Sequence, residues 1–286
     1  MTSRVLLVGS SGPLGRAVAR ELITRGQDLT RASRSADDAV GSARLDATDS
    51  AQVRQVLERV RPSAVVYLAR PALDGAGDVA ARVDSDVDSL RSFATECSRF
   101  GVQRIVFASS AAVYGTSSAH ALSETDPVVA DSPYAALKLR SEAVLAEAGE
   151  AGGFTTISLR IFNVYGAGFS GSLVNRLAVG QGTPPRVHDT EGFVRDYIHA
   201  SDVAHAFVLG LEEPSPEPAV LNVGTGLGTT NRRLLQLCPK AAYEASGEPD
   251  VASFSIANIS RIHSRWGFQP RVTVESAIGD PDRFFD

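Results

Sequence analysis

The stretch that most constrains this chain is residues 4–15, RVLLVGSSGPLG. Val5 to Val8 is a short apolar run of the kind that forms a strand buried on both faces, and Gly9, Gly12 and Gly15 follow it at once. A backbone that must turn tightly and come within contact distance of a phosphate has no room for Cβ atoms, which is the steric reason for glycine there. Pro13 suits the first turn of a helix, where its missing N–H costs nothing, and Leu14, Val18 and Leu22 form one apolar face up to Gly26. The segment reads as strand, phosphate loop and helix, with the helix start aimed at an anion.

The same alternation continues. Asp28 to Ala32 reads as a second strand ending at Ser33-Arg34-Ser35. In dinucleotide-binding folds a carboxylate near this point holds the ribose 2′-hydroxyl, whereas an arginine accommodates a 2′-phosphate. Here Arg34 is present, Arg31 is close by and the carboxylate is missing. This predicts NADP(H) over NAD(H), with a solvated loop as the other reading of the two arginines. Leu45-Asp46-Ala47 follows a further short strand, and Asp49-Ser50 caps a helix with Val53, Val56, Leu57 and Val60 on its apolar face. Ala64 to Leu68 is a fourth buried strand, and Ala69, Arg70 and Pro71 lie just past its carboxyl end, where ligands collect in open α/β sheets. A helical pattern from about Asp84 to Phe100 leads into a fifth strand, Ile105 to Ser109. Strands and helices alternating at this spacing predict an α/β fold, a Rossmann-type doubly wound parallel sheet with right-handed crossovers.

Beyond Gly166 glycine and proline become frequent and the alternation is lost, which predicts a smaller, mixed C-terminal substrate-binding cap. The expected division is residues 1–165 and 194–215 for the cofactor-binding domain, and 166–193 and 216–286 for the cap. Pro214 to Pro218 is a short extended linker.

A net charge of −5 without a long basic run argues against nucleic acid and anionic membrane as partners. No window approaches the roughly 18 apolar residues of a membrane span, and Val5 to Val8 is too short for the core of a signal peptide. Cys97 and Cys238 have no metal-ligand spacing, nor have His120, His188, His199, His205 and His263, so no metal is expected and a reducing, cytoplasmic setting is. His199 reads as a packed residue, and Trp266 as one that packs the cap's last helix against the larger domain.

The chemistry resides further along. The fifth strand ends in Phe107-Ala108-Ser109-Ser110, and then comes Tyr134-Ala135-Ala136-Leu137-Lys138. Asp131 or Ser132 can cap that helix and Pro133 can start it, so Tyr134 and Lys138 stand one turn apart on one face. A phenol is a poor proton-transfer group near neutrality, but a nearby ammonium favours the phenolate. A serine hydroxyl at the strand's end could donate a second hydrogen bond to a carbonyl oxygen. The bland alternative is a surface helix pair. Against it stands the chain's preference for arginine: Lys138 is one of only two lysines. Ser110 is the expected catalytic hydroxyl and Ser109 a packed one.

Together with the G-x-x-G-x-x-G loop, the strings FASSAAVYG (107–115), SETDPVVADSPYAALKLRSE (123–142), LRIFNVYGAG (159–168), VRDYIHASDVAHA (194–206) and LNVGTG (221–226) cover nearly the whole chain. They resemble the extended short-chain dehydrogenase/reductase family of NAD(P)-dependent sugar-nucleotide epimerases, dehydratases and ketoreductases. The resemblance implies Ser110, Tyr134 and Lys138 as a catalytic triad. It implies cofactor contacts from Gly9, Ser11, Gly12, Leu14 and Gly15, from Ser33 and Arg34, from Asp46 and Ala47, and from Leu68, Ala69 and Arg70, besides Tyr134 and Lys138. Asn163 and Arg195 match substrate-contacting positions alongside Ser110, the other readings being a strand-end hydrogen bond and an ion pair with Asp196.

Three departures bear on function. The Asp-Glu pair that dehydratases carry after the catalytic hydroxyl is Ala111-Ala112 here, the ribose carboxylate is replaced by Ser33-Arg34, and the late Arg-x-Gly-Asp motif is Gly247-Glu248-Pro249-Asp250. These lead to an expected NADPH-dependent reduction of a keto group on a nucleotide-linked deoxysugar, such as a dTDP-4-keto-6-deoxyhexose. The alternative is an NAD-dependent sugar-nucleotide epimerase, and a third reading is a non-catalytic NADP-binding regulator. The resemblance also implies a homodimer through a four-helix interface.

Overall fold

The computed structural model describes residues 4–69, 78–115, 118, 120–180, 183–188, 191–246 and 253–285. The chain begins with β1 (Arg4–Val8), α1 (Pro13–Thr24), β2 (Asp28–Ser33), β3 (Ser42–Arg44), α2 (Ser50–Val60), β4 (Ala64–Tyr67), α3 (Val79–Arg99) and β5 (Arg104–Ser110). A 3-10 turn, Ala111–Tyr114, precedes α4 (Pro133–Gly152), β6 (Thr155–Ile161), β7 (Asn163–Tyr165), α5 (Leu173–Val179), β8 (Arg186–His188) and β9 (Phe193–His199). Then come α6 (Ala200–Glu212), β10 (Ala219–Val223), β11 (Gly228–Thr230), α7 (Asn231–Leu237), β12 (Glu244–Ser246), β13 (Ser253–Ser255), α8 (Ser260–Trp266), α9 (Val274–Ile278) and α10 (Pro281–Phe285).

Seven strands form one parallel sheet in the order β10-β6-β5-β4-β1-β2-β3. Side chains alternate across it. Val5 and Leu7 of β1 face a layer containing Val18 and Leu22 of α1, Phe207 of α6 and Ile262 of α8, whereas Leu6 and Val8 face Leu57 of α2, Phe93 of α3 and Leu145 of α4. Burial on both faces explains why the central strands read as continuous apolar runs. Strand order reverses between β1 and β4, and the carboxyl ends of those two strands are where a doubly wound sheet makes its crevice.

Two expectations shift. Helix α3 starts at Val79 rather than near Asp84, because Asp78 caps it by accepting from the amides of Ala80 and Ala81. And β10, assigned to the cap by a boundary at residue 215, is the outermost strand of the large sheet, paired with β6. Helix α6 packs on α1 beneath the same sheet, so the chain returns to the large unit from Ala200 to Val223.

The smaller unit is a mixed sheet with β9 at its centre, flanked by β11 and β13 and joined by β7, beside a two-stranded β8–β12 ribbon. Tyr165, Val174, Leu177, Val187, Leu234 and Phe284 belong to its core. Trp266 is packed against the large unit's apolar layer and donates its indole N–H to Glu213, but its helix α8 lies on the large sheet and is followed by α9 and α10, so it is not the cap's last helix. No helix of the described residues is long and apolar enough to cross a membrane.

Candidate active site

Glycine shapes the loop after β1 at two positions. Gly9 has φ of +88°, and a Cβ there would lie 2.8 Å from the amide nitrogen of Ala69; a Cβ on Gly15 would lie 2.3 Å from the carbonyl oxygen of Gly9. These two hold the loop against β4 and fold it back on itself. Gly12 differs: its added Cβ would find nothing closer than the Gly9 oxygen at 3.6 Å. Its missing side chain leaves room toward the cleft, not toward the protein, as expected of a loop that receives a ligand against its backbone. Ser10 completes the anchorage, its amide and hydroxyl both donating to the carbonyl of Ala32 at 3.1 Å.

The cleft above β1 and β4 has a volume of about 330 Å³. Gly9, Ser11, Gly12, Ser33, Arg34, Asp46, Ala47, Leu68, Ala69 and Lys138 all line it. Gly15 lies beneath the loop, and Leu14 is turned into the apolar layer under α1, where the helix's own stripe requires it. Arg70 lies outside the described residues. Sequence reasoning missed Thr48, Tyr67, Asp86, Ser89, Leu90, Phe107, Leu137 and Ser141 as lining residues. A signal for some was there: Asp86, Ser89 and Leu90 fall at i, i+3 and i+4, one face of α3.

At the carboxyl end of β2 Arg34 is exposed. Asp38 is bound to Arg59 at 2.7 Å and accepts from the amide of Arg44, and the Arg59 hydrogen bond holds its carboxyl below the usual range. Asp46 is turned to Thr48, accepting from its amide and its hydroxyl. The other carboxylate of the cleft wall is Asp86, pushed up by burial although Arg82 opposes the shift.

Helix α4 delivers the chemistry. Ser132 caps it, accepting from the amide of Ala135, and Pro133 opens it. Lys138 is buried, and its Nζ donates to the carbonyl of Ala108 at 2.6 Å while lying 4.8 Å from the Phe107 ring centre and 5.7 Å from that of Tyr134. Tyr134, half-buried, stands one turn N-terminal of it. Ser110 ends β5 and caps the 3-10 turn, its Oγ accepting from the amide of Ala112 at 3.2 Å. Ser109 is buried and donates to Glu142, a packed serine as its position suggests. The fold therefore brings the Tyr134 ring and the Lys138 ammonium together on α4 and ties the ammonium to β5, the strand that Ser110 ends; Lys138 lines the cleft, whereas Ser110 and Tyr134 are not among its lining residues.

Asn163 and Arg195 stand on the smaller sheet. The Asn163 side-chain amide donates to the Asp196 carbonyl at 3.0 Å. Arg195 lies 3.9 Å over the Phe193 ring and donates to the carbonyls of Val194 and Ser253 and to the Ser253 hydroxyl, and burial pushes its pKa down. The ion pair with Asp196 does not form. That carboxylate is fully buried and accepts instead from Thr225, Gly226 and Ala257. His199 is buried between Ser201 and the Phe284 carbonyl, and no cluster of three or more metal-ligating side chains occurs among the described residues.

The seven-stranded parallel sheet with helices on both faces defines a Rossmann-like protein. A family model described as the NAD dependent epimerase/dehydratase family matches residues 5–224, and the chain belongs to that family. A UDP-glucose 4-epimerase from Azospirillum brasilense is 30% identical over 326 residues, which cover 94% of this chain and 87% of that protein. Among solved structures, the Thermus thermophilus UDP-glucose 4-epimerase complex with NAD superimposes with a TM-score of 0.78 at 26% identity over 98% of each chain. UDP-glucose 4-epimerase from Stenotrophomonas maltophila, with bound NAD and formylated UDP-arabinopyranose, gives 0.82 at 26% identity over 97% of this chain and 96% of that one. The expected family resemblance is thereby met. The NADP(H) preference drawn from Arg34 gains no support from these NAD complexes, nor does the ketoreductase reading from these epimerases.

Proposed function

We propose that this protein is a nucleotide-sugar epimerase working with a nicotinamide dinucleotide, and that UDP-hexoses are the substrates to try first. The placing of Lys138 in the cleft that the glycine loop lines, with Tyr134 one turn away on α4 and Ser110 at the end of β5, supports the reading, and the 4-epimerase relatives favour inversion of a carbinol over net reduction. The loop of Ser11 and Gly12 would receive the pyrophosphate, Asp46 and Ala47 would lie beside the adenine, and Lys138 would hold the nicotinamide ribose. A nicotinamide dinucleotide bound there supplies hydride exchange with the sugar carbon. Tyr134 takes the proton of the sugar hydroxyl and later returns it, and Ser110 donates a hydrogen bond to the same oxygen. Lys138 favours the phenolate by its charge. Asn163 and Arg195 lie on the cap and would meet the sugar nucleotide; the cap in this proposal comprises residues 163–199 and those from 224 onward, apart from α8.

A second reading has its own observation. Ser33 and Arg34 line the cleft where β2 ends, in the place where a carboxylate would follow the strand to hold a ribose 2′-hydroxyl. A reductase that uses NADPH and releases NADP each turnover would suit that end better than an enzyme that retains NAD. The two separate cleanly. An epimerase interconverts UDP-glucose and UDP-galactose without consuming added cofactor, and heat-released nucleotide is NAD. A reductase emerges with an exchangeable site and oxidises NADPH only when a keto-sugar nucleotide is added. Tyr134→Phe lowers either activity by about a thousandfold, and retained activity in that variant overturns both readings.

A further inference from the structure

The helix that carries Tyr134 and Lys138 also buries an acid one turn on. Glu142 lies at i+4 from Lys138, on the same face, within the reach of lysine–carboxylate pairing along a helix. Both side chains run to the end of β5 at consecutive residues: Lys138 Nζ donates to the Ala108 carbonyl, and Glu142 accepts from the Ser109 hydroxyl. A buried carboxylate so near is a competitor for the ammonium on which the phenolate depends.

Arg160, brought in by β6, meets that carboxylate head-on. Its Nε donates to Glu142 Oε1 at 3.0 Å and its Nη2 to Oε2 at 2.8 Å, with both side chains 7% exposed. Its remaining nitrogen donates to the Tyr114 hydroxyl at 3.0 Å, and that hydroxyl donates to Asn222 Oδ1 at 2.7 Å. So the guanidinium is fixed by α4 through Glu142 and by the 3-10 turn that Ser110 caps through Tyr114, which is itself tied to β10 by Asn222. Fork-on-fork pairing of this kind is geometrically specific, and breaking it from one side leaves an uncompensated buried charge. The Glu142 interaction holds the Arg160 pKa above arginine's ordinary value, against the effect of burial.

We propose that Arg160 is a positioning residue for the proton-transfer pair: by engaging both oxygens of Glu142, it keeps that carboxylate from drawing the Lys138 ammonium away from Tyr134. This rests on the role given to Tyr134 and Lys138 above. Tyr134 on α4, Asp86 from α3 and Tyr67 from β4 share the ammonium's end of the cleft or face its ring contacts, while Glu142 is met by Arg160 from β6, which also meets Tyr114 of the 3-10 turn and the carbonyl of Glu124. On the outer face of α4, Arg140 is paired with Asp84 and Glu147 with Arg91. Of these groups only Glu142 and Arg160 need be changed, so the rest cancel in a comparison of variants.

The test is a charge cycle: Arg160→Met, Glu142→Gln and the double variant. Tyr134 ionisation is followed directly by tyrosinate absorbance, as the difference between each protein and the same protein carrying Tyr134→Phe, and in parallel by the pH dependence of kcat. Arg160→Met strands the carboxylate beside the ammonium and should move the Tyr134 titration up by about one pH unit. Glu142→Gln strands the guanidinium and should move it down. The double variant should titrate near the unmodified protein, even with a lowered Tm. Shifts of one sign in both single variants, no shift in either, or a double variant that keeps the Arg160→Met shift each overturn the proposal. If Arg160→Met does not fold, a downward shift in Glu142→Gln that vanishes in the double variant still sustains it, and absence of that shift overturns it. Because tyrosinate absorbance needs no substrate, the cycle stands or falls separately from the epimerase assay.

Discussion

The large sheet and the cap hold together by different means. In the large unit the central strands are buried by apolar layers on both faces, and those layers carry most of its packing. The cap is built of short strands around β9 and converges on one acid. Asp196 is fully buried and binds the amides of Thr225, Gly226 and Ala257 together with the Thr225 hydroxyl. The turn after β10 and the end of β13 are thus tied to β9 by a single carboxylate, and a Cβ on Gly224 would press to 2.6 Å from it. A non-directional layer tolerates substitution by repacking. A hub of directed bonds does not.

The largest effect should come from removing that hub. Asp196→Ala removes the shared acceptor of three amides and of the Thr225 hydroxyl, leaving the buried Ala257 amide unpaired while Thr225 and Gly226 can turn partly to water, for a loss of roughly 2–3 kcal/mol in urea unfolding. The contrast demands that the loss be local. Amide exchange should quicken across residues 193–199 and 224–230 while β1, β4 and β5 keep their protection. Uniform acceleration over both units would mean that they share one cooperative core and that the contrast is wrong.

The same difference decides what could be read in the sequence. The large unit was legible because its determinants are local: Val5 to Val8 is apolar without a break, and Gly9 and Gly15 are glycine for steric reasons that show in the spacing. Tyr134 and Lys138 were legible because a helix brings i and i+4 together. The cap's determinants are long-range. Asp196 beside Arg195 looks like half of an ion pair until the fold carries Thr225 and Ala257 to it. Glu142 and Arg160 look like surface charges until β6 aligns beside β5. The wall formed by Asp86 and Ser89 is not legible in the sequence because a helical pattern does not say which of its polar turns a sheet edge will face. β10 was misplaced because its short apolar run, Ala219 to Val223, follows a proline-rich linker and carries no mark of which sheet it joins.

A smaller effect sharpens the reading of the loop. Gly15→Ala places a methyl 2.3 Å from the Gly9 oxygen and 2.7 Å from Ser10 Cα, so the loop must distort, at a cost of about 1–3 kcal/mol in stability together with the loss of cofactor binding. Gly12→Ala meets only an ordinary contact at 3.6 Å. That variant should keep its Tm and still bind the dinucleotide at least about tenfold more weakly, since a ligand pressed on the loop backbone meets the new methyl. Equal melting shifts in both variants would show that Gly12, too, serves the protein and not a ligand.

The smallest effect concerns two acids held in opposite ways. Asp196 is met by amides and a hydroxyl, with no cation. Glu213, where α6 ends, is met by a cation and an indole: Arg265 Nε donates to it at 2.6 Å, Trp266 Nε1 donates to the same oxygen, and the amide of Ser215 donates at 2.9 Å. Burial opposes ionisation, but Arg265 leads the groups that outweigh it, and the carboxyl is drawn down to about 2. A carboxyl depressed on folding stabilises the folded state above its unfolded value, near 4.5, and that contribution drains away as pH falls toward about 2. Glu213→Gln should therefore lower Tm by its full amount at neutral pH and by progressively less from about pH 5 downward, until it melts with the unmodified protein near pH 2. A Tm gap that stays constant through that window would mean that shape and hydrogen bonding alone fasten α8 to the sheet, and that the charge on Glu213 contributes nothing.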